Sequence, residues 1–297
     1  MTHRFSGGGT RICGIVLSPT SEEVGRPPGR SIVSPNNMGA IADRARIITA
    51  YFAERYGHGR PPIVGPLDRE VLVLVDGVGG FQAAGLIARR ALREAGCEIG
   101  TILFRWQTPI YADIFSDLMW LRRNRVMGAR LSRLLLTFRR EHPSTRVHLM
   151  AYSGGTGIAV FALERLAGRS LVDTLILACP ALSPTYNLGP ALRSVRRAYA
   201  LVSPRDSFIL GFGTRTFGTI DRVFTSGAGR VGFRKPPGLS EEDDEAYGRL
   251  REFQWTTEYK TLSHHGTHAG WVSVPFLREH LPPLLDGAPR LPMREIV

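Results

Sequence analysis

The chain predicts an α/β fold: an open, mostly parallel sheet with helices on both faces. Three observations carry that prediction. From Glu70 onward, short apolar runs alternate with stretches of helical length. The run Val71-Leu72-Val73-Leu74-Val75 is continuously apolar, as in a strand buried on both faces. Gly-rich segments then follow two of the runs directly, at Gly77-Val78-Gly79-Gly80 and at Ser153-Gly154-Gly155.

Residues 1 to about 35 are rich in Gly, Pro, Ser and Arg and read as an arm. Met38, Ile41, Ala45, Ile48, Tyr51 and Phe52 recur at helical spacing, and a Gly/Pro linker closes this part at Pro66. The first strand is expected at 71–75, with a helix over 82–95. A strand over 99–104 follows, then one or two helices over 114–140. A strand over 147–151 leads into a helix that reaches Leu166. Then come a strand over 174–178, a short helix over 191–197 and a strand over 199–202. After an irregular insertion, a last strand is expected over 253–259 and a last helix over 275–285. The organisation is therefore an arm and helix over 1–66, an α/β domain over 67–287 with an insertion at about 207–250, and a tail over 288–297.

The net charge is +12, carried almost wholly by arginine, with Lys235 and Lys260 the only lysines. The arginines are spread along the chain without a nucleic-acid motif, so a solvated surface is expected rather than a nucleic-acid partner. One denser basic set, Arg122, Arg123, Arg125, Arg130 and Arg133, lies beside Trp106, Tyr111, Phe115, Met119 and Trp120. It leaves a peripheral contact with an anionic membrane open. Cys13, Cys97 and Cys179 are odd in number and widely spaced, which suggests neither a disulfide framework nor a zinc site. No run approaches the roughly 18 apolar residues of a membrane span. The N-terminus has no apolar signal region, so a cytoplasmic location is the expectation.

Chemistry concentrates in three places. In Ala151-Tyr152-Ser153-Gly154-Gly155 a serine sits at the apex of a tight turn between strand and helix, where its hydroxyl is pushed out of the backbone. The loop Val75-Asp76-Gly77-Val78-Gly79-Gly80 ends the first strand and faces the same crevice. It fits a dinucleotide fingerprint poorly: Gln82 stands at the third small-residue place, and Arg105 and Trp106 end the next strand where a ribose-binding acid would. Asp206 follows a strand by a few residues, and Ser263-His264-His265-Gly266-Thr267-His268 precedes the last helix. A hydroxyl needs a base, and the base needs an acid to hold its tautomer. His268 is the preferred base, His265 the runner-up, and His264 a supporting or surface residue. His142 and His148 read as structural. The histidine cluster has no local carboxylate or cysteine, so no metal is expected. Asp173, Asp221, Asp243 and Asp244 compete with Asp206 less well.

From about Glu70 to Leu285 the chain resembles the α/β-hydrolase superfamily. The resemblance rests on the serine turn as nucleophile elbow, on 75–79 as oxyanion loop, and on the order Ser153, Asp206, His268. It departs at Ala151, where the elbow more often has glycine, and at Asp76, where lipase-like members often have histidine. The resemblance implies a serine esterase or lipase-like enzyme without cofactor, acting on a small ester or lipid-like substrate. Ser153, His268 and Asp206 would form the triad, with the Gly154 and Val78 amides as oxyanion donors. The superfamily also contains non-catalytic members, and the same triad could serve an acyltransferase. A binding protein for an anionic partner and an acyl transfer to an alcohol are therefore the alternatives.

Overall fold

The sheet grows in two directions from its second strand, and that reversal creates the crevice in which the candidate residues meet. In the computed structural model, residues 61, 63–67, 69–79, 82–107, 114–166, 168–294 and 296 are described. They belong to the unit Glu54–Val297. The helix expected within 32–57, the arm before it, and Cys13 lie outside the described residues.

Eight strands form one sheet: β1 (Ile63–Val64), β2 (Glu70–Val75), β3 (Gly100–Phe104), β4 (Arg146–Tyr152), β5 (Val172–Ala178), β6 (Val195–Val202), β7 (Leu250–Gln254) and β8 (Met293–Arg294). Their spatial order is β1-β3-β2-β4-β5-β6-β7-β8. Strands β3, β2, β4, β5, β6 and β7 are parallel, and the two-residue edge strands β1 and β8 run antiparallel. Chain growth turns from β3 at one side of β2 to β4 at the other. A crevice opens beyond the C-terminal ends of β2 and β4 at such a switch. The 76–79 loop and Ser153 stand at those two ends.

Alternating residues of β2 serve two cores. Val71, Val73 and Val75 pack under α3 (Leu121–Glu141), α4 (Gly155–Glu164) and α5 (Gly189–Leu192). Leu72 and Leu74 pack against α1 (Ala83–Glu94) and α9 (Val274–Asp286). This two-sided demand explains the unbroken apolar run. Helix α4 is buried from Gly155 to Leu163, so it has no polar stripe to show to water. In α3, Leu131, Leu135 and Phe138 form the inward stripe, and the exposed Arg122, Arg130 and Arg133 lie off it.

Several boundaries differ from expectation. The sheet extends past 67 and 287, because β1 and β8 pair with β3 and β7. Two-residue strands carry no period for a sequence to display. The short helix ends at Leu192 rather than 197, and β6 begins at Val195. Its exposed early residue Arg196 resembles a helix end, whereas the parallel pairing with β5 holds Arg197 opposite Thr174. The last long strand stops at Gln254, and 3₁₀ turns occupy Thr257–Leu262. The insertion is folded: a π-helix Phe208–Gly213, α6 (Thr214–Phe217), α7 (Ala228–Val231) and α8 (Glu241–Ala246) lie within it. No helix among the described residues is long and apolar enough to cross a membrane.

Candidate active site

Ser153 has φ 52°, a left-handed conformation that costs a non-glycine residue energy. The turn is held in place from three directions. The Ser153 amide donates to Ala178 O at 2.9 Å, and its carbonyl accepts from the Thr156 amide at 3.0 Å and the Thr156 hydroxyl at 2.6 Å. Gly155 is required by close approach: a Cβ there would lie 2.3 Å from Asp76 O and 2.7 Å from Val75 O. A side chain on Gly154 would strike Val78 Cγ1 at 2.7 Å. Ala151, in contrast, lies inside β4 with its methyl in the core, so the missing first glycine costs the turn nothing.

The three singled-out side chains form a continuous hydrogen-bonded relay. His268 Nε2 lies 2.8 Å from Ser153 Oγ, and His268 Nδ1 lies 2.5 Å from Asp206 Oδ2. A carboxylate only accepts, so the Nδ1 proton faces Asp206 and Nε2 is left to accept from the serine hydroxyl. Asp206 is 3% exposed and Ser153 6%. Asp206 Oδ1 also accepts from the Leu210 amide at 3.3 Å, which ties the acid to the start of the insertion. His265 is exposed and makes no hydrogen bond to Ser153 or Asp206 among the described residues.

His264 is not at the surface. It is fully buried among Trp271, Phe276 and Tyr259, and burial drives its pKa down to about 3. Its Nδ1 accepts the Gly266 amide at 3.2 Å, and its carbonyl accepts the Trp255 indole N–H at 2.9 Å. Ser203 Oγ donates to Gly266 O at 2.6 Å. A neutral histidine thus shapes the loop that presents His268. The carbonyl of His268 itself accepts from Tyr152 O–H at 3.3 Å and Cys179 S–H at 3.5 Å. Burial pushes both groups upward in pKa, so both remain protonated donors.

On the other side, side chains hold four backbone groups of the 76–79 loop. Asp76 accepts from Gly77 N–H at 2.7 Å and Ala84 N–H at 3.0 Å. Trp106 Nε1 donates to Asp76 O at 2.7 Å, and Gln107 Nε2 donates to Gly77 O at 2.6 Å. Gly79 N–H donates to Asp117 Oδ2 at 3.0 Å. Asp117, on α2 (Ile114–Met119), is fully buried and also faces Arg123 at 3.3 Å. Arg123 reaches on to Trp106 O. The Val78 amide is not one of the four: neither it nor the Gly154 amide has an acceptor among the described residues. Gly154 packs against Val78, where an added Cβ would meet Val78 Cγ1, and backbone amides presented in this way can bind a developing oxyanion.

Asp117, Arg123, Trp106, Gln107, Tyr152 and Cys179 carried no signal for these roles in the sequence. Asp76 did, since an aspartate before glycine and a helix start suits amide capping. The competing aspartates are occupied elsewhere. Asp173 holds Val147 N–H, Asp221 holds Ser183, Asp243 holds Asn187 and Arg193, and Asp244 holds Lys235. His148 is buried at the opposite end of β4, with its pKa lowered to about 4 by burial, and His142 ends α3. Donor atoms of Cys179, Asp206 and His268 lie within 4.8 Å of one another, which is a possible donor set for a thiophilic cation. The raised thiol pKa and the Nδ1–Asp206 bond both work against such a ligand set.

No family model matches the chain, and no curated protein matches it. Solved structures do. A Bacillus licheniformis lipase in its propeptide form is 15% identical with a TM-score of 0.43, over 80% of this chain and 56% of that one. The chain therefore spans little more than half that lipase's length. A Pyrococcus furiosus esterase is 11% identical with a TM-score of 0.43, over 73% of this chain and 82% of that one. A Thermus thermophilus protein is 13% identical with a TM-score of 0.45, over 77% and 93%. With its strand order and its serine turn at the switch point, the chain has the α/β-hydrolase fold.

Proposed function

We propose that the chain is a serine hydrolase that cleaves an ester through an acyl-enzyme. The observation that carries this reading is the relay Asp206–His268–Ser153, at 2.5 and 2.8 Å, ending on a serine held at positive φ. His268 Nε2 takes the Ser153 proton as Oγ attacks the carbonyl carbon. Asp206 orients the imidazole and offsets its new charge. The oxyanion forms against the Gly154 and Val78 amides. Collapse expels the alcohol, which receives its proton from His268. Water then attacks the acyl-enzyme by the same steps and frees Ser153. In sites of this kind, losing one oxyanion donor lowers the rate about a hundred- to a thousandfold.

The substrate class that suits this machinery is a small ester or lipid-like ester, with no metal or organic cofactor taking part. A fluorophosphonate probe tests the nucleophile. Wild type should label and Ser153→Ala should not, with the same thermal midpoint for both. Wild-type protein that resists the probe while a control esterase reacts would overturn the assignment. A series of p-nitrophenyl esters of rising acyl length, run on both proteins, then reads the chain-length preference.

A further inference from the structure

Residues 208–224 form a folded segment whose outer surface is aromatic. Its inner side is anchored: Leu210 and Ile220 are fully buried, and Thr214 is buried with them. Its outer side leaves Phe208 78%, Phe212 65% and Phe224 63% exposed, with Phe217 also exposed. Large rings facing water in one short segment are unlike scattered surface hydrophobes, and contiguous apolar patches mark interaction sites. Arg222 joins two of these rings. The Phe217 carbonyl accepts from Arg222 Nη1 at 2.6 Å, and the Arg222 guanidinium stands 5.4 Å over the Phe224 ring.

The charge of the patch selects its occupant. Arg215 is exposed and Arg222 half-exposed within it. The one acidic side chain of the segment, Asp221, is turned inward, its carboxylate accepting from Ser183 N–H at 2.9 Å and Ser183 O–H at 2.5 Å. A second copy of this chain, meeting the patch with its own, would oppose arginine to arginine on a protein of net charge +12. Rings flanked by unopposed cations match an anionic bilayer, where aromatic groups enter the headgroup–acyl boundary and guanidinium groups meet phosphate. Placement also favours this occupant. The Leu210 amide on the inner side donates to Asp206, and Trp120, 59% exposed, follows the helix whose Asp117 holds Gly79. Both supports of the candidate site thus adjoin exposed rings.

We propose that the 208–224 face docks on an anionic lipid surface. Basic helix α3 is not the contact in this proposal: Arg123 and Arg125 are engaged with Asp117 and Glu164. The docking does not depend on the chemistry of Ser153, so the full-length Ser153→Ala protein serves as the test protein. It is sedimented with vesicles of phosphatidylcholine alone and of equal parts phosphatidylcholine and phosphatidylglycerol, at low and high salt. Strong, salt-sensitive binding to the phosphatidylglycerol vesicles is expected, with weak binding to phosphatidylcholine. The combined Phe208→Ser, Phe212→Ser and Phe224→Ser variant should lose binding to both. Arg215→Gln and Arg222→Gln should each weaken binding to the anionic vesicles about fivefold. Phe208, Phe212, Phe224 and Arg215 are exposed and Arg222 is half-exposed, and an unchanged thermal midpoint verifies the fold. Three results would overturn the proposal. One is a Ser153→Ala chain that stays in the supernatant with every vesicle. Another is binding that survives the triple variant and vanishes in Arg130→Gln/Arg133→Gln. The third is conversion of a dimer to a monomer by the triple variant while no form of the chain binds vesicles.

Discussion

Asp117 and Asp206 are both buried aspartates beside the same serine turn, one behind the 76–79 loop and the other behind the imidazole. Asp117 accepts from a backbone amide and faces a guanidinium, groups that keep their protons through any reaction at neutral pH. Asp206 faces an imidazole, whose charge changes during the proposed reaction. The first carboxylate can only orient. The second can stabilise a charge that appears and disappears. The contrast lies in the partner rather than in the acid, since burial and residue type are the same.

The largest effect is expected at Asp206. Asp206→Asn should lower kcat about ten-thousandfold with little change in thermal midpoint, because an amide cannot hold the Nδ1–H tautomer or offset the imidazolium. Hydrolysis of a p-nitrophenyl ester reads it, and an effect below tenfold would dissolve the contrast. Asp117→Asn should cost less in rate, about a hundredfold in kcat, through a misaimed Val78 amide. It should cost more in stability, about 3 kcal/mol or more by chemical denaturation, since Arg123 loses its buried partner. Equal rate losses at the two aspartates would mean that Asp117 acts as more than a scaffold.

A smaller effect is expected where the relay is steadied through the backbone. Tyr152→Phe and Cys179→Ala each remove one donor from the His268 carbonyl and should lower kcat about fivefold, equivalent to about 1 kcal/mol. KM should be unchanged, and Cys179→Ser, which restores a donor, should recover most of the rate. A change in KM alone would place these residues in substrate binding instead.

The smallest effect concerns pH, and Glu252 on β7 supplies it as a carboxylate with no imidazole. Its Oε1 accepts from Phe233 N–H at 2.6 Å, and Arg294 stands 3.7 Å from Oε2. Burial nevertheless raises its pKa from 4.5 to about 7. The folded chain therefore keeps a proton that the unfolded chain releases, and the associated stability is full below pH 4.5 and lost as pH rises through about 7. His264 and His148, lowered to about 3 and about 4, act with the opposite sign, withdrawing stability as pH falls below 6.5. Denaturation midpoints of wild type and Glu252→Gln across this range isolate the first contribution. The wild-type advantage should shrink with rising pH. A constant difference would show that the arginine, not desolvation, rules this carboxylate.

The long strands were legible because burial on two faces writes itself as an apolar run, as in Val71–Val75 and Leu175–Ala178. The edge strands at Ile63 and Met293 were not, since two residues have no period. In the insertion, five phenylalanines looked alike in sequence. Phe233 is core, whereas Phe208, Phe212, Phe217 and Phe224 face outward, and nothing local separates them. The site was legible in part. Ser153, Asp206 and His268 stood out by turn chemistry and chain order, and they lie within hydrogen-bonding distance of one another. Asp117, Trp106 and Gln107 did not stand out, because their partners are backbone atoms about 30 or more residues away.

By itself the sequence determined the alternation of strand and helix, the strained serine turn and the residue types of the relay, because each depends on neighbours within a few positions. The sequence ranked His268 ahead of His265, but only tertiary structure brings one of the three nearby histidines to the serine. His264 and His268 have the same chemistry. Packing buries one among aromatic rings and leaves it neutral, while the loop bonded to Tyr152 and Cys179 sets the other against Asp206. That choice depends on contacts between elements distant along the chain, which no local pattern encodes.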